Sequence, residues 1–167
     1  MNFMRKKQTG ECLLTSPLTG RIVPISEVTD EVFSQKILGD GVAVRPSVGE
    51  LRAPADGQTL QVFDTEHALT MRTDEGVELL LHLGIDTVRL GGRGFCAHVK
   101  AGQRIRRGEL LLTFALSDMQ REGYDMTTPV VVSSDQRWQI VLCADGEVQS
   151  GEVLLQLKKT EEAGENS

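Results

Sequence analysis

The chain has 167 residues, 40% of them hydrophobic, 25% charged and 4% aromatic, with 17 Gly and 5 Pro. A chain of this length forms one domain, two at most, and this composition is globular and turn-rich rather than disordered or fibrous. A net charge of −6 argues against a general nucleic-acid binder, and no apolar run approaches the roughly 18 residues that cross a bilayer.

The start of the chain carries Arg5, Lys6 and Lys7 but no apolar stretch of about 7 residues behind them, so no secretory signal is expected. Residues 1–14 and 159–167 are polar and weakly patterned and are expected to be mobile tails around one domain spanning 15–158. Inside that domain, short strands alternate with Gly, Asp and Pro. The expected strands are Gly20–Val23, Gly41–Pro46, Thr59–Phe63, Ala68–Thr73, Val77–Leu83, Glu109–Phe114, Val130–Val132, Trp138–Cys143 and Val153–Leu157. Strands this short and this closely spaced predict an all-β fold, a sandwich or barrel.

Helical signals are few. Thr29-Asp30-Glu31 is placed to cap a short turn into Val32-Phe33. Ser117 and Gln120 have the spacing of a capping box, and Gly123 ends that helix after about one and a half turns. Two echoes stand out. Ser16-Pro17-x-x-Gly20 recurs as Ala53-Pro54-x-x-Gly57, with Pro fixing φ and Gly supplying a permissive backbone before each strand. The apolar residue that follows is Ile22 in one copy and Leu60 in the other, one residue out of step. The stretch Val99–Leu110 resembles the biotinyl and lipoyl carrier domains, which are flattened β-sandwiches of the hybrid-barrel kind. The modified lysine of those carriers sits in Met-Lys-Met or Asp-Lys-Ala, and neither tripeptide occurs here.

Chemistry-bearing residues are scarce. The cysteines Cys12, Cys96 and Cys143 are odd in number and contain no Cys-x-x-Cys, so a disulfide framework and a structural zinc site are disfavoured and a reducing cytoplasm is expected. Of the three histidines, His82 ends a strand in which Val77, Leu79, Leu81 and Leu83 share one face. His82 therefore lies on the opposite face, beside Leu80 and near Asp86. His67 precedes the neighbouring strand. If Asp74 and Glu75 alone form the hairpin loop, His67 faces His82; a three-residue loop turns His67 to the core face. His98 lacks a comparable setting and is expected at the surface. Two facing imidazoles fit a metal site or a phosphohistidine site, but zinc needs at least a third protein ligand. There is no His-x-His, His-Glu-x-x-His, Gly-x-Ser-x-Gly or P-loop.

The run Gly76-Val77-Glu78-Leu79-Leu80-Leu81-His82-Leu83-Gly84-Ile85-Asp86-Thr87-Val88 resembles the active-site segment of glucose-type enzyme IIA of the bacterial phosphoenolpyruvate-dependent sugar phosphotransferase system. Further matches are Asp30-x-Val32-Phe33-Ser34-x-Lys36-x-Leu38-Gly39-Asp40-Gly41, Ala53-Pro54-x-Asp56-Gly57, Thr65-x-His67-Ala68 and Thr128-Pro129-Val130-Val131. They run in order from about residue 16 to 158.

The resemblance implies an antiparallel β-sandwich and a free-standing phosphohistidine relay. Phosphate would arrive from the histidine phosphocarrier protein (HPr) and leave to a cysteine of a sugar-specific enzyme IIB. His82 would accept it, His67 would stabilise the phosphoryl oxygens, and Thr65 would orient His67. Asp30 and Asp86 would attract arginines of the donor. Val32, Phe33, Ile37, Leu38, Phe63, Leu80 and Val88 would form an apolar docking rim. Phe33 and Phe63, beside turn text, are expected to be its most exposed members. Leu80 stands where some relatives carry Phe, and Met1–Lys7 is a poor amphipathic helix, so no membrane-touching tail is expected. No cofactor is required. Zinc is expected only in a complex whose partner adds a carboxylate to His67 and His82. Two rival readings remain: a regulatory binding module whose apolar face is switched by phosphorylation, and a zinc-dependent hydrolase, against which the missing ligands stand.

Overall fold

The computed structural model describes residues 10–133 and 137–160. The largest sheet has eight strands in the order β13 (Glu147–Val148), β2 (Gly20–Pro24), β3 (Gly39–Pro46), β11 (Thr128–Ser133), β7 (Glu78–His82), β6 (Ala68–Thr73), β5 (Gly57–Val62) and β9 (Arg104–Ile105). Two three-stranded sheets complete the sandwich. One runs β1 (Glu11–Thr15), β14 (Val153–Lys159), β12 (Trp138–Cys143); the other runs β4 (Glu50–Arg52), β10 (Leu110–Phe114), β8 (Phe95–Ala97). Every pairing among these strands is antiparallel. Among the described residues helix is confined to α1 (Glu31–Ser34), α2 (Leu116–Arg121) and short 3-10 turns at Ile25–Glu27 and Thr87–Leu90. Among the described residues no helix is long and apolar enough to cross a membrane.

Period-2 alternation divides the large sheet into two apolar faces. Val42 and Val44 of β3, Leu79 and Leu81 of β7, and Val130 and Val132 of β11 enter the main core with Leu14, Leu51, Leu112 and Leu157 from the smaller sheets. The intervening Ala43 and Val131 point the other way and join Val23, Ile25, Val28, Phe33 and Ile85 in a second, smaller cluster, against which Leu80 packs. The candidate site residues named from the sequence gather around this second cluster.

The hairpin between β6 and β7 has a three-residue loop. The Thr73 amide donates to the Val77 carbonyl (2.8 Å), the Gly76 amide to the Thr73 carbonyl (2.9 Å), and Gly76 takes φ +101. Ala68, not His67, stands opposite His82. The Pro echo is a structural repeat. The Thr15 amide donates to the Pro54 carbonyl (3.0 Å) and the Arg52 amide to the Pro17 carbonyl (2.9 Å), so the two turns exchange equivalent hydrogen bonds. Their glycines are required for a different reason from the expected one. Neither has a positive φ, but a Cβ would lie 1.9 Å from the Arg45 carbonyl oxygen at Gly20 and 2.1 Å from that of Arg72 at Gly57.

Three further expectations are corrected. Residues 11–14 are not a tail: they belong to β1, paired with β14, and Cys12 and Leu14 are buried. Lys159 likewise belongs to β14, opposite Trp138, while the tail assignments on 1–9 and 161–167 lie outside the described residues. Ser117 caps nothing. Buried Leu116 starts α2 two residues earlier than that box implies, with Ala115 at the N-cap and no side-chain cap. Gly123 does end α2, at φ +92, with the Tyr124 amide returning to the Met119 carbonyl at 3.1 Å.

Candidate functional site

His82 is the last residue of β7 and lies half-buried on the side of the second cluster. Its Nδ1 is 2.7 Å from the Gly84 carbonyl oxygen. A carbonyl only accepts, so Nδ1 carries the proton, and in the neutral ring the lone pair sits on Nε2. Gly84 makes this turn at φ +80, and a Cβ there would stand 2.6 Å from Thr87 Cγ2 and 2.9 Å from Met126 Sδ. The next amide, of Ile85, donates to the Asp125 carbonyl at 2.8 Å.

His67 reaches the same place by another route. By strict alternation the three-residue loop would send it to the core face. Its ring nevertheless lies 5.0 Å from that of His82, nearly edge-on at 84°. The reason is that His67 precedes β6 and follows Glu66, which takes the left-handed conformation at φ +58. The Glu66 amide donates to the Phe63 carbonyl (2.7 Å), and its carboxylate accepts from the Ala97 amide of β8 (2.7 Å). The turn therefore redirects the His67 side chain away from the core face, although its carbonyl still accepts from the Leu83 amide at 2.8 Å and continues the pairing with β7. Thr65 Oγ1 lies 2.5 Å from His67 Nδ1.

Aromatic rings close the pair on both sides. Phe33 sits 5.1 Å from His82 and Phe63 5.4 Å from His67, centroid to centroid. Burial, helped by the neighbouring His82, pushes the His67 imidazolium down to about 4. Burial also lowers His82, while its bond to Gly84 and the charges of Asp30 and Asp86 act in the opposite direction. Both rings are therefore neutral near pH 7. Asp30 is half-buried and caps α1, its Oδ1 accepting from the Val32 amide at 2.9 Å. Asp86 is exposed and left-handed at φ +60.

The cap on α1 fixes what the helix shows. Val32, Ile37 and Leu38 are 40%, 60% and 41% exposed, and Val88 across the site is 54% exposed. Phe33 departs from expectation: it is buried, at 4%, and supports His82 from beneath instead of forming the rim. Phe63 and Leu80 are half-buried. With Leu38 they line a hollow of about 360 Å³, together with Leu60. Sequence reasoning did not place Leu60 here. Leu60 lies at the bulge in β5, where the pairing with β6 shifts between Thr59 and Gln61.

His98 is exposed and bonded to Thr113, apart from this pair. The cysteines do not join the site either. Cys12 is buried, with burial first among the causes that push its thiol up to about 12, and Cys96 and Cys143 are exposed. Among the described residues no three His, Cys, Asp or Glu gather as metal ligands.

Residues 12–138 match the family described as phosphoenolpyruvate-dependent sugar phosphotransferase system, EIIA 1. Among solved structures, the glucose permease IIA from Mycoplasma capricolum is similar, with 34% sequence identity and a TM-score of 0.83, over 87% of this chain and 95% of that one.

Proposed function

The chain belongs to the EIIA 1 family of the phosphoenolpyruvate-dependent sugar phosphotransferase system, and from that premise we propose that it carries phosphate on His82, between HPr and the cysteine of an enzyme IIB. One observation carries the assignment: the Gly84 carbonyl holds the proton on Nδ1, at 2.7 Å, and so leaves Nε2 as the nucleophile of a ring kept neutral by burial.

The Nε2 lone pair attacks the phosphorus of the donor's phosphoimidazole. The new P–N bond forms as the donor's breaks, and the donor nitrogen takes back the electron pair. In the second half-reaction a cysteine thiolate attacks phosphorus, and the pair from the breaking bond returns to His82 Nε2. Charge shifts on the phosphoryl oxygens in both steps, where oriented donors are most effective. With the Thr65 hydroxyl donating to His67 Nδ1, neutral His67 carries its proton on Nε2, ready to donate to such an oxygen. Asp30 and Asp86 draw a basic donor to the site, and Val32, Ile37, Leu38 and Val88 give it an apolar surface to dry. The cytoplasm is the proposed location, because its reducing conditions keep the acceptor cysteine available.

The exposed apolar rim also favours a regulatory reading. Phosphorylation places about −1.5 to −2 charges beside that surface and switches which partners it accepts. The two roles are compatible in one protein.

The test is incubation with phosphoenolpyruvate, enzyme I and HPr, followed by a search for acid-labile phosphate. The wild-type chain and His98→Ala should be labelled and His82→Ala should not. Label that persists in His82→Ala overturns the assignment.

A further inference from the structure

Three consecutive peptide groups lead away from His82, and each has an anchor. The first is held through its N–H, because the Leu83 amide donates to the His67 carbonyl at 2.8 Å. The third is held through its N–H as well, the Ile85 amide donating to the Asp125 carbonyl at 2.8 Å. Both use backbone partners that any side chains would leave in place. The middle group, between Leu83 and Gly84, is held by a side chain: the Thr87 hydroxyl donates to the Leu83 carbonyl at 2.6 Å. Thr87 is wholly buried, and its Cγ2 stands 2.6 Å from the position of a Cβ on Gly84. The anchor therefore precedes the residue with the freest backbone in the turn, a glycine at φ +80 whose own carbonyl holds His82 Nδ1.

We propose that Thr87 is a positioning residue for His82: its hydroxyl fixes the Leu83–Gly84 peptide, so that the Gly84 carbonyl stays on Nδ1 and the lone pair stays on Nε2. Without that hydroxyl the Leu83 carbonyl is left buried and unpaired. A buried unpaired carbonyl drives its peptide group to seek another partner. Movement of that group displaces the Gly84 Cα at its end, and the Gly84 carbonyl shifts relative to the imidazole even while the Ile85 amide stays on Asp125, so the ring loses what selects its tautomer. The methyl of Thr87 packs against Gly84, but it cannot replace the hydrogen bond.

The inference rests on His82 being the phosphate acceptor, and the experiment separates the two. Thr87→Val keeps the shape and removes the hydroxyl; Thr87→Ser keeps the hydroxyl. Imidazole ¹⁵N spectra of the full-length unphosphorylated chain read the His82 tautomer without any phosphotransfer. The wild type and Thr87→Ser should show Nδ1–H. Thr87→Val should show a mixture of tautomers and accept phosphate from HPr about tenfold more slowly, the scale of one lost hydrogen bond, with its dependence on HPr concentration unchanged. A Thr87→Val chain with the wild-type tautomer overturns the proposal, and so does a Thr87→Ser chain that fails as Val does. If Thr87→Val does not fold, Thr87→Ala against Thr87→Ser makes the same comparison, since that pair differs only in the hydroxyl. Label found elsewhere than His82 would refute the relay assignment, while the tautomer spectra would still decide what Thr87 does.

Discussion

Acidification from pH 7 to pH 5 should weaken the fold by about 2 kcal/mol through His67 alone. His67 is 4% exposed, and burial, with the neighbouring His82, lowers its imidazolium from the ordinary 6.5 to about 4. Because the folded value lies below the unfolded one, the unfolded chain takes up the proton first. The contribution is complete above the unfolded value and is lost as the pH falls toward the folded one. Within that window each pH unit removes about 1.4 kcal/mol. Roughly one and a half units of the window lie between pH 6.5 and pH 5, which gives the stated loss. His82 is lowered in the same direction and adds to it. Urea unfolding followed by circular dichroism at the two pH values measures the total, and His67→Gln isolates the His67 share because the amide does not titrate. The variant should lose about 2 kcal/mol less than the wild type between pH 7 and pH 5. Equal losses in the two proteins would refute the claim that the fold holds His67 neutral.

Asp30→Asn keeps a cap acceptor for the Val32 amide and removes only the charge, so with Asp86→Asn it should slow transfer from HPr without unwinding α1. That loss should shrink as salt rises, since exposed charges are screened beyond about 8 Å at about 0.15 M ionic strength; a salt-independent loss would place the carboxylates in the chemical step. Gly84→Ala should lower stability by about 3 kcal/mol, combining left-handed strain with overpacking against Thr87 and Met126, and an unchanged melting temperature would count against the close contact. Calorimetric titration of Zn²⁺ into the chain by itself should show no tight site, because His67 and His82 leave a tetrahedral ion two ligands short; a sub-micromolar dissociation constant would require ligands from elsewhere.

Strands whose alternation is bounded by turn residues were legible in the sequence, as Ala68–Thr73 and Trp138–Cys143 show. Strands that depend on a distant partner were not. Glu11–Thr15 has too little pattern to be recognised alone, and its burial comes from β14 at the other end of the chain. Glu50–Arg52 and Phe95–Ala97 are only three residues long, too short to display a period. The capping box at Ser117 failed for a related reason. Its spacing was sound locally, but burial of Leu116 decided where the helix begins.

The placement of the candidate site's residues was legible only in part. His82 could be placed from strand alternation because it belongs to a strand. His67 could not, since its backbone still pairs with Leu83 while the turn before it redirects its side chain, and register alone does not show that. What turns it is Glu66, held left-handed by a carboxylate bond to Ala97 on a strand of another sheet. That contact is long-range and leaves no periodic mark. Phe33 was misjudged in the same way: nearby turn residues imply exposure, whereas the Asp30 cap orients α1 so that Phe33 goes under His82 and Val32 goes outward. The two imidazoles are thus held by different means. His82 is anchored by its strand and by the Gly84 carbonyl, while His67 hangs from a turn fixed at its own N-terminal side. In the proposed relay, the strand and the Gly84 carbonyl would hold the group that forms and releases the bond, and the turn would carry the group that meets the shifting charge on the phosphoryl oxygens.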